Sequence, residues 1–554
     1  MKFKVIGSVK PLISPLLLWG ALINPAFAAA GDATPSPEES VQLEAAPPAE
    51  GEPQQGAERE QTFTIKRFVI EGSALFSREE LARALAPFTG RKRTSADVEG
   101  ARDALESFFH EKGYPTVLVN IPEQTLQNKV VRLQVIENRV GSVNVTGNRW
   151  FSTEKVLRDL PSIAPGSVIY LPQLQQEANR VNRNPDFKIV PEMKPGKSPE
   201  TVDMNVTVTD QSPWHGSLEA NNRSSHDTTE SRLLASLRYD NLWQREHSLS
   251  GSFQISPEKT SEVKVASGSY TMPAPWQFED KMVLYGVWSD SKTAFSGGFK
   301  NLGKGFIVGG RGVLQLAPFG SYSHSAVLGL DYKDFQETSG MLDVEAGDEA
   351  PVKYLPVSAA YSAQLVDGSG VTSFNAGLNL SFRGMVSDPR EFEQKRYRSR
   401  ANYLTLTAGV ERNQQLPGDF SLLVKVDGQV ADQPLISNEQ YVAGGVESVR
   451  GYKESEGSGD NAVHAGMELA APDLVGSPRA RLVPYLFLEG AGLWVKSPLP
   501  GQDPRIGLMG TGLGVRGVLF GSLEYQADLG FALRDTAQTE LGDPRLHLKV
   551  KWQF

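Results

Sequence analysis

"LHLKVKWQF", residues 546–554, puts Leu546, Leu548, Val550, Trp552 and Phe554 on one face of an extended chain and His547, Lys549, Lys551 and Gln553 on the other. Side chains alternate along a β-strand, so this stretch reads as one strand with an apolar and a polar side. The question it raises is what the apolar side faces.

The preceding three hundred or so residues repeat the pattern. In "SLEYQADLGFAL" (522–533), Leu523, Tyr525, Ala527, Leu529, Phe531 and Leu533 oppose Ser522, Glu524, Gln526, Asp528 and Gly530. "SLSGSFQI" (248–255), "YLTLTAGVE" (403–411) and "SLLVKVDGQV" (421–430) alternate likewise. A soluble β-sandwich would alternate too, but a fully polar second face and segments approaching the roughly 9 to 11 residues that cross a bilayer favour a barrel with a wet interior. From residue 212 onward the chain has about 343 residues, and at roughly 20 per strand and connection these make about sixteen antiparallel strands. Outer-membrane barrels commonly end on such an aromatic strand, which closes the barrel and is read by the barrel-assembly machinery. Trp552 and Phe554 are the candidate assembly signal.

The other end agrees with export. Residues 1–28 carry lysines at 2, 4 and 10, an apolar run broken by prolines, and small residues at Ala26 and Ala28, the pattern of a cleaved signal peptide. No later run is long and apolar enough to span a bilayer as a helix, so a membrane domain has to be β-structure. The chain contains no cysteine, which excludes disulfides and thiol chemistry, and its formal charge of -9 gives no basic surface for nucleic acid. Residues 29–60, rich in proline, glutamate and alanine, read as an extended linker in which only 38–46 could form a short helix.

Between linker and barrel lies a repeat. "FVIEGSALFSREELARAL" (68–85) and "VNVTGNRWFSTEKVLRDL" (143–160) align at a constant offset of 75, with Gly72 on Gly147, Phe76 on Phe151 and Ser77 on Ser152. Each copy reads as a strand, a tight turn at the glycine and a serine-capped helix, with Ser77 and Glu80 forming a capping box. A second helix and two strands follow in both, giving two β-α-α-β-β modules over 61–137 and 138–211.

One stretch stands apart. "GGVESVRGYKESEG" (444–457) is a glycine-rich loop that sets Arg450 between Val449 and the pair Gly451 and Tyr452. Catalytic patterns are missing: seven scattered histidines form no metal-binding spacing, and Gly512, Gly514 and Gly517 match a dinucleotide fingerprint only literally, because strand-like "VLFGSLEY" follows where a helix is needed. No cofactor is expected, and no enzyme.

Signal peptide, linker, two small α+β modules, a barrel and "VRGY" together resemble the outer-membrane transporters of two-partner secretion, the haemolysin-activator type within the superfamily that also holds the barrel-assembly insertases. The resemblance covers about residues 61–554 and implies that the modules are POTRA domains and the barrel, 212–554, has sixteen strands. It implies further that Val449, Arg450, Gly451 and Tyr452 lie on a long extracellular loop folded back into the lumen. Arg450 would pair with an acidic residue of an F-x-D-x-G motif on the barrel wall, matched here by "FLEGAG" (487–492) with Phe487 and Glu489. Glutamate stands where aspartate is usual, and Ala491 where glycine is usual. Two parallel hydrogen bonds to the one carboxylate are the expected tether. A second "VRG", 515–517, lacks the aromatic and reads as wall.

The expected protein sits in the outer membrane of a Gram-negative cell, with its modules in the periplasm and its outer face on lipid. It captures an unfolded, β-rich exoprotein and secretes it. A barrel-assembly insertase and a passive porin are the alternatives.

Overall fold

The computed structural model describes residues 62–554 apart from 127, 227, 278, 292–293, 297–298, 339–348 and 386–387. The signal peptide, the linker and the helix expected at 38–46 fall outside the described residues. Contacts divide the chain between Ser212 and Pro213.

The N-terminal unit holds two α+β folds. In the first, Arg67–Glu71 pairs in parallel with Val130–Glu137, which pairs antiparallel with Val117–Asn120. Helices Arg78–Leu85 and Ser95–Glu111 bury Leu81, Leu85, Leu105 and Phe109 against this sheet. The second fold repeats the arrangement with Arg139–Thr146, Thr201–Asp210 and Phe187–Pro195, and with helices Thr153–Asp159 and Leu171–Val181. The first fold adds a short pairing of Phe63–Ile65 with Gly90–Arg93, which the alternation does not announce.

The sequence repeat has a physical basis. Gly72 and Gly147 both sit at φ 88°, where a side chain would be strained and would also run into the carbonyl of Val135 or Val208. The serines then start the helices. The Ser77 hydroxyl accepts the Glu80 amide at 3.3 Å while the Glu80 carboxylate accepts the Ser77 amide at 3.0 Å, and Ser152 caps through the Lys155 amide at 3.2 Å.

The C-terminal unit is a closed antiparallel barrel of sixteen strands, counting Glu349–Tyr354 and Pro356–Asp367 as one because both pair with Tyr322–Thr338. No described helix is long and apolar enough to cross a membrane. Period-two alternation sorts the side chains. On Arg481–Trp494, Leu486 and Leu488 point outward and are exposed, while Tyr485, Phe487, Ala491 and Leu493 face inward and are buried. Leu546, Leu548, Val550, Trp552 and Phe554 all lie exposed on the outer face.

The first strand, Trp214–Asn221, closes the ring against the last, Pro544–Gln553, in register from Lys549 with Asn221 to Gln553 with Ser217. Phe554 and Gly216 exchange backbone hydrogen bonds at 2.9 and 3.0 Å. A side chain on Gly216 would occupy the space of the Phe554 ring, which packs 4.9 Å from that of Trp552. At the other end of the seam the Asn222 side chain completes the ladder, accepting the Leu548 amide at 2.8 Å and donating to the Leu546 carbonyl at 2.7 Å.

A loop seated in the barrel lumen

Antiparallel alternation runs Ser421–Ala431, the eleventh strand, in the same direction as the first. The connection from it to Asn461–Ala470 therefore leaves the barrel at the end opposite Trp214. This connection, 432–460, does not stay outside. Its limbs Tyr441–Ala443 and Gly457–Gly459 pair with each other, and Tyr441, Ala443, Val449 and Tyr452 pack on Ala462, Ala491, Leu493, Leu508 and Ala532 of the inner wall. Ala491, where the resemblance led to an expected glycine, adds its methyl group to this apolar contact.

At the loop's turn lies Arg450, 6% exposed. Its Nε donates to Glu489 Oε1 at 2.9 Å, and Nη2 bonds the same oxygen. The main-chain N–H of Arg450 donates to Glu489 Oε2 at 2.8 Å. The tether thus departs from the expected pair of parallel side-chain bonds: one carboxylate oxygen holds the guanidinium and the other holds the backbone that carries it. The reason is that the turn delivers both groups to the same place.

Two further carboxylates share the arginine. Nη1 lies 3.1 Å from Glu468 Oε2 and 3.4 Å from Asp528 Oδ1, so carboxylates from three wall strands surround one guanidinium. Asp528 also accepts from the Tyr485 hydroxyl. Beneath, the guanidinium lies on the Phe487 ring, 3.7 Å from its centroid, which gives the aromatic of the wall motif a role as platform. Burial alone would lower the Arg450 pKa; Glu489, then Glu468 and Asp528, outweigh it and hold the pKa above the usual guanidinium range.

The backbone approaches as closely as the charges do. Gly451, at φ 111°, lies against the main chain of Phe531, and the Arg450 carbonyl lies where a side chain on Gly510 would be. A side chain on Gly530 would meet the Gly451 amide. Tyr452 is fully buried, its hydroxyl 2.7 Å from the Arg534 carbonyl and 3.0 Å from that of Met509.

The rest of the loop is fastened along its length. Asp460, at its stem, takes both forks of Arg396, Nη1 to Oδ1 at 2.6 Å and Nη2 to Oδ2 at 2.7 Å. Glu439 accepts from Lys333 and Tyr354 of the opposite wall, both at 2.6 Å. Arg223 reaches Glu447 at 2.8 Å and Glu454 at 3.0 Å. The loop spans the lumen from one wall to the other.

Of the residues singled out from sequence, the structure brings together Val449, Arg450, Gly451, Tyr452, Phe487 and Glu489. Trp552 and Phe554 lie apart at the seam. Gly512, Gly514 and the second "VRG" lie in the wall strand Arg505–Leu519. Sequence reasoning missed Glu468, Asp528, Gly510 and Gly530. Their inward parity was available, but every inward residue of a barrel shares it.

Two family models match the chain: the ShlB-type POTRA domain over residues 63–138, and the haemolysin secretion/activation protein ShlB/FhaC/HecB over 352–517. The outer membrane transporter CdiB of Dickeya dadantii is 22% identical over 424 residues, covering 74% of this chain and 72% of the relative. The heme/hemopexin transporter protein HuxB of Haemophilus influenzae is 19% identical, covering 69% and 67%. The solved structure of CdiB from Escherichia coli superposes with a TM-score of 0.59 at 19% identity, covering 91% of this chain and 92% of that one.

Proposed function

We propose that this chain, similar in both of its parts to the haemolysin secretion/activation proteins, is an outer-membrane transporter of two-partner secretion. Residues 61–137 and 138–211 act as periplasmic POTRA domains, 212–554 as the transmembrane barrel, and the outward faces of its strands contact lipid. The modules take a large, β-rich exoprotein while it is unfolded, the barrel conducts it, and folding outside draws the remainder through.

One observation carries this reading: a loop from the far end of the barrel lies inside the lumen, with Arg450 held by three wall carboxylates. Charge-assisted hydrogen bonds of this kind are strong where water is scarce and weaken once it enters. Arg450 thereby tethers a movable element in the path of the cargo, a part that a passive pore does not need.

Capture is assigned to sheet edges. Val117–Asn120 and Phe187–Pro195 are each the outer strand of their sheet, but side chains of the same folds hold their outward backbone groups. Glu106 accepts the Val119 amide at 2.9 Å, His110 lies 3.0 Å from the Val117 carbonyl, and Asn182 holds the Ile189 amide and carbonyl at 2.7 and 3.0 Å, so an incoming strand has to displace them. Val190 and Met193 are exposed on the longer edge, where Pro191 and Pro195 lack amide donors. Trp552 and Phe554 serve the assembly of the barrel by the cell's barrel-assembly machinery.

Co-purification tests the assignment. A secreted β-rich protein bound to the modules is the expected result. Nascent barrels in its place would make the chain an insertase, and solute flux with no protein client would make it a porin.

A further inference from the structure

The lumen wall carries one arrangement twice. Tyr485, Gly514 and Asp528 stand side by side in register on Arg481–Trp494, Arg505–Leu519 and Leu523–Ala532. Tyr285, Gly309 and Asp331 do the same on Lys281–Ser291, Gly305–Gln315 and Tyr322–Thr338. In both rows the tyrosine hydroxyl donates to the aspartate, and a side chain on the glycine would run into both. In both, an arginine two residues past the glycine, Arg516 or Arg311, lies over the tyrosine ring, at 4.6 and 5.0 Å. The two sets of strands are eight apart in a ring of sixteen, and so on opposite walls.

The two arginines are used differently. Arg311 lies back along the diagonal onto Asp331, Nη1 bonding Oδ1 and Nη2 reaching Oδ2 at 2.7 Å. Arg516 turns instead to Glu468, its Nη1 2.6 Å from Oε1. The corresponding place at Asp528 is filled by Arg450 at 3.4 Å and Gln526 at 2.8 Å. Diagonal neighbours on adjacent strands are within reach of a long side chain, and the Arg311 pair makes this diagonal directly.

We propose that Arg516 is a stand-in counter-ion for the loop arginine: when Arg450 withdraws, Arg516 swings onto Asp528, as Arg311 already lies on Asp331. Release of the loop then leaves no bare carboxylate at Asp528. The inference rests on the proposed movement of the loop during export.

The charges fix the sign. With the loop seated, Arg450 and Arg516 together face Glu489, Glu468 and Asp528; with the loop out, Arg516 faces them without Arg450. Removing Arg516 takes a like charge away from Arg450 and also strips a cation from the vacated seat. Both effects hold the loop more tightly. The position opposite the arginine tunes the exchange. It is Gly329 in one row, where a side chain would collide with Arg311, and Gln526 in the other. Gln526 therefore has to rotate aside before Arg516 can move.

The chain has no cysteine, so Ser448→Cys introduces a single thiol at a buried residue of the loop. Its labelling by a membrane-impermeant maleimide on intact cells reports loop release, with heat-modifiable migration confirming that the barrel is folded. Arg450→Ala in this background sets the released rate. Arg516→Gln is expected to slow labelling on the order of tenfold, equivalent to about 1.4 kcal/mol, and Gln526→Gly to speed it. Unchanged or faster labelling with Arg516→Gln overturns the proposal, because a merely structural arginine would loosen the wall when lost. Should Arg516→Gln not insert, Gln526→Gly decides, and slowed or unchanged labelling overturns it. Labelling needs no exported partner, so this failure is distinct from failure of the export reading, which is scored by partner protein in the medium.

Discussion

Arg450 touches its surroundings in four ways: through Glu489, through Glu468 and Asp528, through the Phe487 ring, and through its own amide. Breaking a buried pair of this kind costs on the order of 3 to 5 kcal/mol, and less where water enters the lumen. Arg450→Ala is therefore expected to release the loop and reduce export sharply while the barrel stays inserted. Glu489→Ala should resemble it, and the double variant should be little worse than either single one, because the two share an interaction. Partner protein in the medium and heat-modifiable barrel, measured together, check this; fully additive losses would return Arg450 to an ordinary loop residue. Glu489→Asp supplies the residue usual in the transporters this chain resembles but is one methylene shorter. Because the two oxygens of Glu489 hold guanidinium and backbone separately, the shorter side chain keeps one contact better than the other, and a mild export defect is expected. Arg450→Lys keeps the charge but cannot reach three carboxylates and lie flat on Phe487, so its defect should approach that of alanine.

At the scale of strands and loops, the glycines of the wall matter as much as the charges. Gly510→Ala leaves the backbone ladder of Arg505–Leu519 intact but sets a methyl group against the Arg450 carbonyl. The barrel should insert normally, and the stretch 444–457 should become open to protease added outside cells; persistent protection would mean that the loop seats without this clearance. At the seam, replacing Phe554 with glutamate removes the ring that packs on Trp552 and fills the space over Gly216. Less heat-modifiable barrel is the expected outcome, and unchanged levels would remove Phe554 from any part in assembly. This is also the scale at which the sequence stops being readable. Period two marks Glu468 and Asp528 as inward-facing, as it does every polar wall residue, and nothing local says that they meet a loop arginine 18 and 78 positions away. The clamp of Arg396 on Asp460 is invisible for the same reason, since its halves lie in different loops.

Across the whole molecule, the fold was legible wherever a period exists to be read. Alternation marks the barrel because each strand divides lipid from water, and the offset of 75 residues marks the tandem folds because Gly72 and Gly147 meet the same steric demand. The inward fold of the loop that carries Val449 to Tyr452 has no period and was implied only by the family resemblance, and the full path of 432–460 came with the structure. The division of labour between modules and barrel is the central claim, and it is tested most directly by deleting residues 61–211 with the signal region and barrel left in place. Among the described residues, the strands of the barrel pair with no strand of the deleted segment. Partner protein in the medium and heat-modifiable barrel in the outer membrane are then measured in the same cells. The expected result is an inserted barrel with no export; export persisting through a barrel stripped of both modules would contradict the account.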